Sequence, residues 1–183
     1  MEPSPVSTEG FLNPDAVVGE LGVTQGMKIA DFGCGAGHIG ILVAQKVGKD
    51  GSVLALYIME DKLDSIKARA KASGLENLET KRANLEVPNS TGLVDATQDM
   101  VLLINILFQS TKKPDILKEA KRVLKSGGTL VLVDWKKGTG GFGPPDNLRT
   151  DVNDMQSLVT TEGLTVARPF NAGQFHYGLM FKK

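Results

Sequence analysis

Cysteine occurs once in this chain, at Cys34, and histidine twice, at His38 and His176. A single thiol excludes a disulfide framework and any cysteine-cluster metal site. The two histidines stand far apart without ligand spacing, so no metal is expected. Neither sign of charge is in excess: Lys plus Arg and Asp plus Glu each number 21. Affinity for nucleic acid draws on a basic face, and this balance argues against such a partner. Long hydrophobic runs are missing as well. The longest, VLLINILF over 101–108, falls far below the roughly 20 residues that span a bilayer. The opening MEPSPVSTEG has no positive region followed by an apolar one, unlike a signal peptide. These absences lead to the expectation of a soluble, cytoplasmic protein without a membrane partner.

At 183 residues, 41% of them hydrophobic, the chain suits one well-buried domain. Residues 1–12, with Pro3, Pro5 and Gly10, read as an arm, and 13–183 as the domain. In NPDAVVGELG, Asn13 caps a helix, Pro14 starts it and Gly22 stops it. Apolar strands are expected at MKIADF (27–32), SVLALYI (52–58), DMVLLINI (99–106) and GTLVLVDW (128–135), with a thin one at NLETKRA (77–83). Between them lie helices at HIGILVAQKVG (38–48), EDKLDSIKARAKASG (60–74) and TKKPDILKEAKRVLKSGG (111–128). A glycine-rich loop, KKGTGGFGPP, leads to a helix within 151–162. Strands alternating with helices make an α/β fold whose parallel sheet is covered on both faces. LTVARPF and QFHYGLMF, joined by NAG, end the chain as an antiparallel hairpin.

The stretch IADFGCGAGHIG (29–40) fits two patterns. From Gly35 it reads G-x-G-x-x-G, the dinucleotide fingerprint, but that leaves Asp31, Phe32 and Gly33 over. From Asp31 it reads as a carboxylate closing a strand, followed by Gly33, Gly35 and Gly37 in alternation. A carboxylate meets a cationic ammonium and repels a pyrophosphate. The second register is the better account, and a ligand-free glycine turn is its bland alternative.

In this register the chain resembles the class I S-adenosylmethionine-dependent methyltransferases, particularly small single-domain members related to quinone-biosynthesis enzymes. The likeness rests on IADFGCGAG, DMVLLINILF, LKEAKRVLKSGGTLVLVDW and the terminal hairpin. It implies a Rossmann-like, mostly parallel seven-stranded sheet, order 3-2-1-4-5-7-6, with the last strand antiparallel. It further implies S-adenosyl-L-methionine at the carboxyl ends of strands one, two and four. Asp31, Gly33, Gly35 and Gly37 would surround the methionine part. Asn84, with Ala83 and Leu85, would meet adenine, and Asn105 with Ile106, ending strand four, the amino group and donor methyl.

Strand two departs from the pattern. Where relatives place an acid that holds both ribose hydroxyls, this chain has Tyr57, followed by Ile58. A phenol offers one donor and one acceptor and cannot grip two hydroxyls as a carboxylate does. Three accounts stand open: Glu60 or Asp61 reaches back, Tyr57 serves a modified binding mode or a variant cofactor, or the site is impaired.

Methyl transfer from a sulfonium is an in-line displacement that mainly needs alignment of donor and acceptor. A base is required only where the acceptor must lose a proton. His176 is the candidate base and Asp134 the candidate substrate contact; the bland readings are a backbone-bonded strand histidine and a capping carboxylate. His38 either contacts the ligand or merely opens an exposed helix, and Trp135 either walls the acceptor pocket or packs in the core. The loop KKGTGGFGPP, with Phe142, reads as a mobile lid or a disordered connection, and Glu9, Gly10 and Phe11 as a cover over the cofactor. The expected partner is a small-molecule substrate. An arsenic methylator would need several cysteines. A basic patch of Lys136, Lys137 and Arg149 would instead favour RNA. A methyltransferase-fold protein that binds a nucleoside ligand without transfer is the competing reading, and a nicotinamide oxidoreductase the third.

Overall fold

The computed structural model describes residues 12–183. The expected cover by Glu9, Gly10 and Phe11 lies outside these residues. Strands β1 (Lys28–Phe32), β2 (Ser52–Tyr57), β3 (Leu78–Arg82), β4 (Gln98–Ile104), β5 (Leu124–Trp135), β6 (Thr165–Asn171) and β7 (His176–Lys182) form one sheet. Their order is β3-β2-β1-β4-β5-β7-β6. The first five run parallel, and β7 is antiparallel to both neighbours. The expected topology is therefore the observed one. No helix among the described residues is long and apolar enough to cross a membrane.

Strand alternation divides the core in two. Ala30, Phe32, Leu56, Leu103 and Phe181 face one side, where helices α4 (Lys113–Val123) and α5 (Val152–Thr161) contribute Leu117, Ala120, Met155 and Val159. Ile29, Val53, Met100, Val131 and Met180 face the other. There α1 (Pro14–Glu20), α2 (His38–Val47) and α3 (Glu60–Ala72) bring Val17, Val43 and Ile66. Each fully buried Val, Leu, Ile, Phe or Met among these stabilises by about 1.5–3 kcal/mol. Asp31 shares the face of Ile29 and so points toward α2.

Three boundaries differ from expectation, and two of them shape the site. β4 ends at Ile104, because Asn105 turns to a left-handed φ of 56°. β2 ends at Tyr57, which leaves Ile58 outside the strand and half exposed. Helix α4 stops at Val123 rather than continuing to the glycine pair. Leu124 is already extended and pairs with Gln98, and a register shift between Gln98 and Met100 absorbs the extra residues. Lys183 Nζ donates to the carbonyls of Arg122 and Leu124, and Ala96 N–H also donates to Arg122 O at 3.0 Å, so the helix end is tied to both segments.

Candidate active site

The glycine loop leaves β1 and is fastened to β2 at once: the N–H groups of Gly33 and Cys34 both donate to Leu56 O, at 2.8 and 3.0 Å. Gly33 and Gly37 have φ of 77° and 74°, which side chains rarely adopt. Space is as restrictive as conformation. A Cβ on Gly33 would overlap Ile106, and one on Gly37 would come within 2.5 Å of Ile66 Cγ1. Gly40, one turn into α2, lets the helix close on the strand, since its Cβ position is 3.0 Å from Asp31 Oδ2. This is the packing role of the third glycine in the other register, so both patterns are physically present in one loop.

Above the loop, two cavities of about 450 Å³ each share Gly33, Tyr57, Ile106 and Gln109, and so form one elongated groove. It crosses the carboxyl ends of β1, β2 and β4, the usual ligand edge of an open α/β sheet. One half is lined by Asp31, Gly35, Gly37, His38, Asn105, Phe108 and Trp135. The other is lined by Ile58, Met59, Ala83, Asn84, Leu85 and Glu86. A cavity of about 510 Å³ lies at the opposite edge, around Gly48, Ser52 and Asn77, away from the carboxyl ends of the strands.

The groove thus gathers Asp31, Gly33, Gly35, Gly37, Tyr57, Ile58, Asn84, Leu85 and Asn105. Asp31 is 2% exposed, and its Oδ2 has no hydrogen-bond partner among the described residues. Burial pushes this carboxyl up to about 7. Asn105 donates its N–H to Val133 O at 2.9 Å, while its side-chain oxygen is buried without a partner among the described residues. Asn84 Oδ1 accepts from Glu86 N at 3.1 Å, which shapes the turn after β3. Glu60 and Asp61 are exposed in the first turn of α3 and line neither half of the groove. Sequence reasoning missed Glu86, Phe108, Gln109 and Gly40. Gly40 alone had a signal, as the last glycine of the dinucleotide pattern.

His176 and Asp134 do not line the groove. Asp134 is 1% exposed and spends both oxygens on backbone: Oδ2 accepts from Phe108 N at 2.9 Å and Oδ1 from Trp135 N at 2.8 Å. Burial pushes its carboxyl up to about 6 despite those bonds and Lys113. His176 is 1% exposed and packs on Trp135, with ring centroids 4.1 Å apart. Burial, followed by the charges of Lys136 and Arg149, pushes it down to about 4, so the ring is neutral at pH 7. Trp135, against which it packs, is itself a lining residue of the groove.

The glycine-rich loop after β5 is held together by Arg149 rather than left open as a lid. This buried guanidinium donates to the carbonyls of Pro144 (2.9 Å), Lys136 (2.9 Å) and Phe142 and to Thr139 Oγ1 (2.7 Å). It also lies 5.6 Å over the Trp135 ring, while Phe142 meets Phe175 at 5.5 Å. At 5% exposure Arg149 cannot contribute to a basic surface patch.

Comparison with known proteins agrees with this geometry. The family described as "Methyltransferase domain" matches residues 23–162. A demethylmenaquinone methyltransferase from Bacillus cytotoxicus is 34% identical over 123 residues, 65% of this chain and 49% of its own length. An arsenite methyltransferase from Aquipseudomonas alcaligenes is 31% identical over 113 residues, 60% of this chain and 33% of its own. The chain thus spans between a third and a half of these curated relatives. A solved S-adenosylmethionine-dependent methyltransferase from Aquifex aeolicus superposes with a TM-score of 0.84 at 27% identity, covering 97% of this chain and 93% of that one.

Proposed function

The chain belongs to the class I S-adenosylmethionine-dependent methyltransferase family, and we propose that it transfers the methyl group of S-adenosyl-L-methionine to a small-molecule acceptor by in-line displacement. The observation that carries the reading is Asp31. A buried carboxylate that lines a groove and has an oxygen without a partner among the described residues is costly unless a ligand group satisfies it. An ammonium does so with a charge-assisted hydrogen bond. The site fits the cofactor at three further places. The glycine loop leaves room for its amino-acid part, Tyr57 stands at the ribose, and Ile58, Met59, Ala83 and Leu85 offer an apolar bed for adenine.

Bound there, S-adenosylmethionine supplies an electrophilic methyl on a positively charged sulfur. The chain's own residues supply position and dryness. Phe108 and Trp135, with Leu12 and Ile104, make the acceptor end of the groove apolar. We assign Asp134 to holding the Phe108 and Trp135 backbones and His176 to supporting the Trp135 ring from behind. The walls suit an apolar acceptor, as the name of the demethylmenaquinone relative suggests. A soft metalloid acceptor finds one cysteine, Cys34, whose thiol burial and Asp31 push up, away from the reactive thiolate.

Calorimetric titration with S-adenosylmethionine, S-adenosylhomocysteine and NAD tests the reading. Micromolar binding of the first two, abolished in Asp31→Ala with cooperative melting retained, is the expected result; binding of NAD alone would overturn it. Tyr57 favours a second reading, a nucleoside-ligand-binding protein without transfer or one using a modified S-adenosylmethionine. Preference for a carboxylated analogue over S-adenosylmethionine in the same titration would select it.

A further inference from the structure

This inference rests on the cofactor reading above and concerns how the groove holds the amino-acid end of that ligand. His38 lines the groove as the first residue of the ten-residue helix α2. Its N-cap, Gly37, carries no side chain to satisfy the opening N–H groups of the helix, which are the positive end of its dipole. Asp31, whose Oδ2 has no partner among the described residues, lines the same cavity. One end of the groove therefore sets a carboxylate beside a group of donors, the complement of an α-amino acid zwitterion.

A second helix completes this arrangement. Ile66 and Arg69 lie one turn apart on α3 and both press on the glycine loop. Ile66 packs against Gly37, and Arg69 Nη1 donates to Ala36 O at 2.5 Å. The other arm of the same guanidinium, Nη2, lies 3.5 Å from His38 Nδ1. A guanidinium has only donors, so in this contact Nδ1 can serve only as the acceptor. With a donor at Nδ1, the uncharged form of the ring compatible with this contact is the one with its proton on Nε2. In that tautomer Nε2 donates and cannot take a proton.

We propose that His38 donates through Nε2–H to the carboxylate at the amino-acid end of the cofactor. Arg69, which does not line the groove, is the positioning residue that selects this tautomer. His38 is then excluded as the base of the reaction.

Two measurements test this. Long-range proton–nitrogen NMR of the free protein is readable because the chain has two histidines, and His38→Gln identifies the His38 signals. The Nε2–H tautomer is expected, giving way to a mixture in Arg69→Met. An Nδ1–H ring in the unaltered protein overturns the proposal. In parallel, S-adenosylhomocysteine and its decarboxylated counterpart are titrated against the protein, His38→Gln and Arg69→Met. His38→Gln should weaken S-adenosylhomocysteine by about tenfold and leave the decarboxylated ligand unchanged. Arg69→Met should do the same to a lesser degree, and Arg69→Lys should recover part of the loss. Equal losses for both ligands would overturn the carboxylate assignment alone. Failure of the unaltered protein to bind either ligand would overturn the cofactor reading and this inference with it.

Discussion

Replacing Asp31 by Asn removes one carboxylate from the groove while keeping its size and shape, and the consequences follow from burial. In the free protein this carboxyl is pushed up to about 7 from an ordinary 3.8. A cationic ligand binds the ionised form, so at lower pH it must first expel a proton. Two units below the folded value, at pH 5, S-adenosylhomocysteine should bind about 100-fold more weakly than at pH 8, at roughly 1.4 kcal/mol per unit. Affinity should rise with pH and level off above about 7. At pH 6, calorimetry in buffers of different ionisation enthalpy should register release of about 0.9 proton per ligand bound, and almost none at pH 8.

The same shift works in the opposite sense on the free fold. Below pH 3.8 folded and unfolded chains both hold the proton. Between 3.8 and about 7 only the folded chain holds it, so stability falls as pH rises, and the loss is complete above that range. It amounts to roughly 4 kcal/mol by the same conversion. Asp31→Asn should therefore melt higher than the unaltered protein at pH 8 without ligand, yet bind S-adenosylhomocysteine more weakly and with no pH dependence. An affinity that stays flat from pH 5 to 8 in the unaltered protein would refute the assignment of Asp31 to the ammonium. An Asn variant that binds equally well would do the same.

Tyr57→Asp should tighten S-adenosylhomocysteine by about tenfold or more in calorimetry, because a carboxylate can accept from both ribose hydroxyls; weaker binding would make Tyr57 a specificity residue for another ligand. Arg149→Met should destabilise by about 2–4 kcal/mol in denaturant unfolding and shift the emission of Trp135, the only tryptophan. Its affinity for S-adenosylhomocysteine should stay unchanged, and an unaltered spectrum would contradict the clamp. Glu119, 3% exposed, receives Thr91 Oγ1 at 2.5 Å and Arg122 at 2.7 and 2.8 Å. Glu119→Gln should cost about 1.5–3 kcal/mol, because Arg122 loses its buried ionic partner and keeps the exposed Asp95 and the Leu93 carbonyl, read as a lower urea midpoint at unchanged slope.

Much of this protein is written in local order. Short continuous apolar runs such as VLLI and LVLV, bounded by turn residues and alternating with helices, read as strands buried on both faces, and the helices between them favour parallel pairing, so the class of sheet follows from the sequence. The loop from Asp31 to Gly37 is equally legible, because alternating glycines after a strand demand left-handed backbone, and a carboxylate at the strand end selects the charge of the ligand. The short NAG link could only reverse the chain. Other features depend on groups distant in sequence, and pattern alone could not assign them. Asp134 and His176 sit at the ligand edge as expected, but Phe108 and Trp135 take the carboxylate and cover the imidazole. The glycine loop after β5 is mobile by composition and clamped in fact, because the folded chain brings Arg149 beneath it. Arg69 reads as one more charge on a solvated helix until α3 packs on the glycine loop and places it against His38. Periodicity and turn chemistry act over a few residues, so the sequence determines which elements form and where a ligand loop lies. Hydrogen-bond partners and burial arise across the fold, so only the tertiary structure determines which polar groups are spent on the protein and which remain for the ligand.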